Sequence, residues 1–352
     1  MTDSPRIGIY VHHHGAGHAA RAGAIGRALG ERGATVGYLS SLPAERLGPG
    51  ESVLLPLDTD RRPEPGETPE ELHFAPLGST GLATRMAAIA GWIERRRPHL
   101  MLVDVSVEVA MLARLCGVPF AYLRQSGERD DPPHRLAYAW AAGLLAPYPK
   151  WLEPEGTPPA IRERSGHVGA VTRFDGAERP RPGGRPRRAL VLGECGPLAA
   201  EIADAARGWE ILGPRPVDLE LLSGCAVVVA PAGANAVAEA AFARCGLVCM
   251  PQPRPFAEQV ARGEDLERDD AAVVLDEPPA PERWPSLLED ARDRRGRLER
   301  WADGKGAGRA ADYLIELARA ASVPDSSSQS TRPLVASSVS QPRAGHSPQR
   351  SR

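Results

Sequence analysis

Short apolar runs alternate with longer amphipathic segments from the beginning of the chain, and this alternation limits the possible folds more than any other feature. The first helical segment, residues 19–32, places Ala22, Ile25 and Leu29 on one face before Gly33 ends it. Strands that are separated by helices form parallel sheets, which are covered on both faces. The pattern therefore predicts an α/β fold. In the first half of the chain the expected strands are residues 6–11, 34–39, 52–57, 99–105, 118–123, 143–145 and 167–171.

The same alternation resumes after residues 175–188, a segment rich in proline, glycine and arginine that is typical of a linker. Because 352 residues exceed the usual size of one hydrophobic core, we expect two Rossmann-like parallel-sheet domains that face each other across a cleft. The expected strands of the second sheet are residues 189–192, 209–212, 226–230, 247–250 and 272–275. The expected divisions are an N-terminal Rossmann-like domain at 1–174, a linker at 175–188, a C-terminal domain at 189–320 and a disordered tail at 321–352, whose residues include ten serines.

Composition excludes several classes of function. The 43 basic and 45 acidic residues give a formal charge of −2, which provides no field to attract nucleic acid. The five cysteines show no C-x-x-C pair, and we expect them to be reduced structural thiols. The chain has no apolar run long enough for a signal peptide or a membrane span, so we expect a cytoplasmic protein.

A glycine-rich turn follows the first strand. It contains Gly15 and Gly17 and ends in His18, where a helix begins. The free N–H groups and the positive end of a helix dipole favour an anion at such a position, so this turn is a candidate cradle for a phosphate or a sugar. The alternative interpretation is a tight turn without a functional role.

A metal site is a further alternative, because His12 and His14 point to the same side of a strand. Catalytic metal sites usually also need a carboxylate from another strand end, and Asp104 is the obvious candidate. Asp58 and Asp60 form a second tempting pair, but Asp-x-Asp in a polar loop more often solvates a turn. We therefore predict that the site uses no metal and no cofactor.

The most informative motif follows the third strand of the second domain. Gly233, Ala234 and Asn235 are small or polar residues at the start of a helix, where a ligand can approach the backbone closely. Glu239 lies one helical turn further on, which places its carboxylate well for two ribose hydroxyls. The alternative role for this glutamate is to complement the helix dipole.

A proline-rich loop, residues 251–257, follows the next strand of the second domain. Such a loop is rigid, and it delivers two adjacent polar side chains, Glu258 and Gln259. We predict that this pair reads the hydroxyls of a sugar.

Together these segments resemble the GT-B nucleotide-sugar glycosyltransferases, in particular the family 28 type that includes the GlcNAc-transferase of peptidoglycan lipid II synthesis. The resemblance covers nearly the whole folded chain. It implies that Gly15, Gly17 and His18 serve the acceptor and diphosphate side of the cleft. In the second domain it implies that Gly233, Ala234 and Asn235 face the diphosphate and that Glu239 binds the ribose. It further implies that Glu258 and Gln259 bind the donor sugar and that Arg173 lies beside the nucleotide.

The function that this resemblance implies is that of a metal-independent hexosyltransferase. It would move a hexose-type sugar from a nucleoside diphosphate sugar, with UDP as the expected nucleotide, to a hydroxyl of a sugar, a lipid-linked or a small-molecule acceptor, with possible peripheral contact to a membrane. A neutral imidazole suits the role of general base, which favours His18, with Asp104 as a second candidate or as the group that orients the imidazole. The segment that begins at Arg124 and the loop at 58–77 are expected to shape the acceptor pocket.

Two departures from the family pattern keep other functions open. Glu194 puts a carboxylate near the expected diphosphate, and the span between Gly196 and Ala226 is short. Gly15, Gly17, His18 and Arg21 also match the pattern of nucleotide-sugar hydrolases of the pseudaminic acid pathway type, which pass the sugar to water. A catalytically idle nucleotide-sugar-binding scaffold is the third possibility.

Overall fold

The computed structural model describes residues 4–13, 16–127, 129–181 and 187–322. In this part of the chain the first sheet has seven parallel strands in the order β3-β2-β1-β4-β5-β6-β7. The strands are β1 (Arg6–Tyr10), β2 (Thr35–Ser40), β3 (Glu51–Leu54), β4 (Leu100–Val103), β5 (Phe120–Leu123), β6 (Gly143–Ala146) and β7 (Ser165–His167). Its helices are α1 (Ala16–Glu31), α2 (Thr80–Arg96), α3 (Val107–Leu115), α4 (Pro132–Trp140) and α5 (Pro159–Glu163).

The second sheet has five parallel strands in the described residues, in the order β12-β11-β10-β8-β9. They are β8 (Arg188–Val191), β9 (Glu210–Leu212), β10 (Val227–Ala230), β11 (Gly246–Cys249) and β12 (Val273–Val274). The helices that follow these strands are α6 (Ala199–Ala205), α7 (Leu219–Ser223), α8 (Ala234–Phe242), α9 (Glu258–Arg268), α10 (Trp284–Leu298) and α11 (Gly306–Ser322). The two parallel sheets with covering helices confirm the predicted fold class.

The core explains why the short strands form. Strands β1 and β4 are buried on both faces, so Ile7 and Leu100 pack in one apolar cluster while Tyr10 and Met101 pack in another on the opposite face. Such strands read as continuous apolar runs, which is the pattern seen in the sequence. Gly33, with φ of 78°, follows helix α1 as predicted. The strand expected at 167–171 is found at Ser165–His167.

Helix α11 differs from the expected domain organisation. Its apolar face, which includes Ala310 and Leu314, packs in the core of the first sheet, and Tyr313 donates a hydrogen bond to the carbonyl of Arg164 at 2.9 Å. Residues 189–320 were expected to belong to the C-terminal domain. Periodicity identifies an amphipathic helix but not the sheet that its apolar face covers, so the crossing of this helix back to the first sheet could not be read from the sequence.

The described part of the expected linker is held in place at both ends. Asp175 accepts hydrogen bonds from the backbone N–H groups of Thr172 and Ala307, and Arg179 donates to the carbonyls of Ala241 and Glu299. Residues 182–186 of the linker and residues 323–352 of the expected tail lie outside the described part of the chain. Among the helices that the structure describes, none combines the length and the apolar character needed to cross a membrane.

Candidate functional site

A cleft of about 1050 Å³ lies where the carboxyl ends of the strands of the two sheets meet. Ligands bind at this edge of parallel sheets because loops and helix N-termini gather there. The half of the chain that forms the first sheet contributes Tyr10, His12, His13, Gly17, His18, Arg21, Asp58, Thr59, His73, Phe74, Leu82, Arg85, Met86, Val105, Ser106, Glu108, Val109, Gln125 and Arg129. The half that forms the second sheet contributes Gly233, Ala234, Asn235, Ala236, Arg254, Pro255, Phe256, Glu258 and Gln259.

Two helix N-termini face each other in this cleft. Gly17 is in the first turn of α1, and a Cβ atom at this position would lie 3.5 Å from Oδ1 of Asn235, in the first turn of α8. Gly233 precedes α8, and no side chain caps this helix. Its first N–H groups are therefore available to an anionic ligand. Gly15 lies outside the described residues.

His18 and Asp104 form a hydrogen-bonded pair in the cleft. Nδ1 of His18 lies 2.7 Å from Oδ2 of Asp104, and Nη2 of Arg21 lies 3.0 and 3.1 Å from the two carboxylate oxygens. Burial of Asp104 opposes its charge, but Arg21 and His18 outweigh this effect and lower the pKa of the carboxyl group. The carboxylate is thus charged at neutral pH. Nη2 of Arg21 also lies 3.2 Å from Nδ1 of His18, but the carboxylate is the closer neighbour and can only accept, so Nδ1 carries a proton and Nε2 is the atom left to act as a base.

The backbone beside this pair is strained. Val105 has φ of 56°, in the left-handed region that a β-branched residue rarely adopts. It follows Asp104, whose backbone N–H donates to the carbonyl of Tyr10 at 3.2 Å. Such strain collects at sites where a side chain must point in one direction.

Glu258 and Gln259, in the first turn of α9 after the proline-rich loop, both line the cleft, and their sugar-binding role stays a prediction. Gln259 is buried and accepts a hydrogen bond from the backbone N–H of Gln252 at 3.0 Å. Two residues just before the pair, Phe256 and Ala257, have φ of 59° and 49°. The strained turn therefore sets where Glu258 begins α9 and how its carboxylate enters the cleft.

Gln125 joins the segment after β11 to the His18 pair. With the amide oriented to satisfy both neighbours, its oxygen accepts from Nη2 of Arg21 at 3.1 Å and its nitrogen donates to Oε2 of Glu258 at 2.8 Å. Gly127, with φ of 100°, lets the two loops approach, because a Cβ atom there would lie 2.1 Å from the carbonyl oxygen of Phe256. The sequence analysis did not assign a role to Gln125.

Glu239 and Arg173, both predicted to serve the nucleotide, lie together. The guanidinium of Arg173 makes a bidentate contact with the carboxylate of Glu239, with Nε to Oε1 at 2.9 Å and Nη2 to Oε2 at 3.0 Å. Burial raises the pKa of Glu239, and Arg173 partly offsets this effect. Neither residue lines the large cleft, although Ala234, Asn235 and Ala238 line a smaller adjoining pocket. The ribose-binding role of Glu239 stays a prediction.

Arg124 occupies a different place from the one predicted. Its guanidinium donates to both oxygens of Glu153, at 3.0 and 2.9 Å, and to the hydroxyl of Ser165 at 2.8 Å. It lies close to the ring of Tyr148 and does not line the cleft. A buried arginine with all these partners holds the loop after β6 in place, so its position next to Gln125 in the sequence was misleading.

The first sheet contributes to the cleft a buried cation that the residue pattern did not reveal. Arg85 is 1% exposed and donates to the hydroxyls of Tyr10 and Ser41, while its Nε lies 3.3 Å from Oδ2 of Asp58. Burial raises the pKa of Tyr10 to about 12, although Arg85 partly offsets this effect. Periodicity marked residues 82–97 as a helix, but it gave no sign that an arginine of this helix points inward.

Neither carboxylate of the Asp58 and Asp60 pair is free for a metal. Asp58 faces Arg85, and Asp60 accepts hydrogen bonds from the hydroxyl of Ser79 at 2.6 Å and from the backbone N–H of Gly81 at 3.2 Å. These bonds lower the pKa of Asp60 to about 2. In the described residues, His73, Asp131 and His134 are the cluster whose ligand atoms come within 4.8 Å of one another.

Glu194 forms an ion pair with Arg254, which compensates the charge that the sequence placed near the expected diphosphate.

No protein-family model matches the chain, and no curated protein matches it. Solved structures do match. MurG of Acinetobacter baumannii has a TM-score of 0.64 at 15% identity over 89% of this chain and 100% of its own. Arabidopsis thaliana UGT89C1 complexed with quercetin has a TM-score of 0.65 at 15% identity over 91% and 100%. The glycosyltransferase VinC in complex with dTDP has a TM-score of 0.59 at 15% identity over 90% and 100%. At this identity the comparison shows the fold, and it confirms the predicted GT-B architecture.

Proposed function

We propose that this protein is a glycosyltransferase that moves a hexose-type sugar from a nucleoside diphosphate sugar to an acceptor hydroxyl without a metal ion. The observation that carries the proposal is the position of His18. Its imidazole is paired with the buried Asp104 and lies in the same cleft as the uncapped N-terminus of α8. A base and an anion-binding helix end are the two groups that such a transfer needs.

The reaction follows from these positions. Nε2 of His18 accepts the proton of the acceptor hydroxyl while its oxygen forms a bond to the anomeric carbon of the donor sugar. The bond from that carbon to the diphosphate breaks, and its electron pair leaves with the nucleoside diphosphate. Asp104 stabilises the imidazolium that forms. The N–H groups at the start of α8 stabilise the charge on the departing diphosphate.

We assign the donor groups as the resemblance implies. Gly233, Ala234 and Asn235 bind the diphosphate, Glu258 and Gln259 bind the sugar, and Glu239 with Arg173 binds the nucleoside. The complex of VinC with dTDP supports a nucleoside diphosphate as donor fragment. UDP is the nucleotide that we propose for this chain.

The alternatives differ in what the cleft must hold. A hydrolase passes the sugar to water and needs no acceptor pocket, whereas the cleft here extends past His18 to apolar side chains of the first sheet, including Phe74, Leu82 and Met86. This space favours transfer over hydrolysis. An idle scaffold was suggested by Glu194, but its pairing with Arg254 removes much of the repulsion expected for a diphosphate.

A panel of nucleotide sugars, with release of nucleoside diphosphate measured with and without small hydroxylated acceptors, tests the proposal. We expect release that depends on acceptor, and we expect His18→Ala to abolish it while the nucleoside diphosphate still binds. Equal release without any acceptor would identify a hydrolase. Binding of a nucleoside diphosphate in calorimetry without its release from any nucleotide sugar would identify an idle nucleotide-sugar-binding scaffold.

A further inference from the structure

A second histidine and carboxylate pair, His73 and Asp131, lies at the cleft, and His73 is the member that lines it. Nε2 of His73, which lies in the loop before α2, is 2.8 Å from Oδ2 of Asp131, the N-cap of α4. The other oxygen of Asp131 contacts Nδ1 of His134 and accepts the backbone N–H of that residue at 3.1 Å. The ring of Phe256 packs against both imidazoles, with centroids 5.2 and 4.9 Å away. The cluster thus joins the loop before α2, which carries His73, to the loop after β11, which carries Phe256.

The hydrogen bonds of the cluster fix which nitrogen of each ring carries a proton. Nη1 of Arg129 lies 3.2 Å from Nε2 of His134, and a guanidinium can only donate. Nε2 of His134 is therefore the acceptor, and its Nδ1 carries the proton that Asp131 accepts. Burial and Arg129 lower the pKa of His134 to about 4, so this ring stays neutral. Hydrogen bonds from both histidines lower the pKa of Asp131 against the opposing effect of its burial.

The same chain of bonds fixes the tautomer of His73. A carboxylate can only accept, so Nε2 of His73 carries the proton that Asp131 accepts, and in this tautomer the lone pair of the ring lies on Nδ1. No hydrogen-bond partner of this Nδ1 is found among the described residues, and the atom is not buried. The side chain is 26% exposed and lines the cleft. An oriented hydrogen-bond acceptor therefore faces the space that an acceptor substrate would occupy.

A metal ion does not fit this arrangement. A neutral imidazole that binds a metal through Nδ1 carries its proton on Nε2. In His134 that proton would point at the N–H groups of Arg129, and two donors would face each other at 3.2 Å. The proximity of the three ligand groups is explained by their mutual hydrogen bonds.

We propose that Nδ1 of His73 accepts a hydrogen bond from a hydroxyl of the acceptor, and that this subsite takes a phenol or alcohol with an apolar body. The apolar body follows from the neighbouring side chains of the cleft, which include Phe74, Met86 and Phe256. The inference rests on the proposed function only in treating this side of the cleft as the acceptor side. Asp131 and His134 are positioning residues, because they act through the ring of His73.

Binding of a matched pair of probes tests the subsite without turnover. 7-Hydroxycoumarin donates a hydrogen bond at a pH where its phenol is protonated, and 7-methoxycoumarin does not. We expect the wild-type protein to bind the hydroxyl compound about threefold to tenfold more tightly. His73→Phe keeps a ring next to Phe256 but lacks Nδ1, so the ratio of the affinities for the hydroxyl and methoxy compounds should be lower in this variant than in the wild type. Comparing the ratio between the two proteins cancels the difference in size of the probes.

Asp131→Asn provides the test of positioning. Asparagine is also a good N-cap, so α4 should remain folded. The amide nitrogen of the substituted side chain would donate to Nε2 of His73 and place the ring proton on Nδ1, so the preference for the hydroxyl probe should be lost although the variant residue does not touch the probe. His99→Phe, which changes a histidine whose Nδ1 accepts from the backbone of Arg6 outside the cleft, is the matched control and should keep the preference. Thermal melting checks that all variants are folded.

The proposal is overturned if the wild-type protein binds neither coumarin, or if the ratio of affinities is the same in the wild type and in His73→Phe. A preference that survives in Asp131→Asn would overturn the role of the carboxylate. Calorimetry with UDP on the same variants separates this result from the donor site, because His73→Phe should leave UDP affinity unchanged. If UDP does not bind to any of them while the hydroxyl preference holds, the proposed transfer fails and the subsite stands.

Discussion

Replacing Glu239 with alanine should weaken the binding of nucleoside diphosphates by about tenfold to a hundredfold. The residue lies one helical turn after Asn235, on the helix whose N-terminus faces the cleft. A ligand with its diphosphate at that N-terminus has its ribose about one turn further along. Two ribose hydroxyls can then donate to the carboxylate.

The magnitude follows from the surroundings of the carboxylate. A hydrogen bond to a charged group contributes roughly 1.5 to 3 kcal/mol when shielded from water. Arg173 already occupies one lone pair on each oxygen, so the ribose shares a carboxylate whose charge is partly neutralised. We therefore expect a loss of about 1.4 to 2.7 kcal/mol in the variant rather than the full value of two bonds. The cost in folding stability should stay below about 1 kcal/mol, because Arg173 is 39% exposed and can turn to water.

Calorimetric titration of the wild type and the variant with UDP and with its 2′,3′-dideoxy counterpart measures the effect. The wild type should bind the dideoxy ligand as poorly as Glu239→Ala binds UDP. Because burial raises the pKa of Glu239, affinity of the wild type should fall with falling pH as the carboxyl group is protonated, while the affinity of the variant should not. Glu220→Ala, in the first turn of α7, is the control for a glutamate that only complements a helix dipole. Unchanged UDP affinity in Glu239→Ala would refute the ribose assignment.

Three further predictions concern His18, Asp104 and Arg124. His18→Ala should lower turnover at least a hundredfold and change UDP affinity less than threefold, since a general base acts in the transition state. Equal losses of turnover in steady-state kinetics and of affinity in calorimetry would make His18 a binding residue. Asp104→Asn should destabilise the fold by about 3 to 5 kcal/mol in urea titrations at neutral pH, because Arg21 loses its buried partner. The lowered pKa of Asp104 means that this contribution is present above the unfolded value and lost as pH falls through the folded value, so the difference between wild type and variant should shrink in acid. Arg124→Met should also destabilise the fold, because the largely buried side chain of Glu153 loses its cationic partner and keeps Tyr148 and His167, yet UDP affinity should stay unchanged. A weakened affinity would return Arg124 to the ligand site.

The fold could be predicted almost completely from the sequence, because buried parallel strands have a signal that is local. Apolar runs mark the strands, and Gly33 marks the end of a helix. The destination of helix α11 could not be predicted, since its Ala and Leu face is equally suited to either sheet. A long-range choice of this kind depends on which surface is left uncovered when the rest of the chain has folded.

The candidate site, like the fold, has a part that could be predicted from the sequence and a part that could not. The sequence could place His18 and Glu258 at one cleft, with Asp104 beside His18, because the topology of parallel sheets brings strand ends together; their roles stay predictions. Arg85 and Gln125 were missed because their roles arise from contacts between elements far apart in sequence. Arg124 was wrongly placed for the related reason that neighbours on a strand point to opposite faces. Burial and pairing, which decide such roles, are not visible in the pattern of residue types.

The charges around the cleft bear on how a diphosphate can leave without a metal ion. In the described structure, Arg21, Arg85, Arg173 and Arg254 each face a carboxylate, so their charges are largely cancelled before a ligand arrives. Arg262 is different, because its buried guanidinium donates to the carbonyl of Ala232 at 2.6 Å, directly before the start of α8. Its positive potential adds to that of the helix N-terminus. If a diphosphate leaves at this N-terminus, as we propose, Arg262 and helix α8 place positive potential beside it on the second sheet, while the proposed base, His18, belongs to the first sheet.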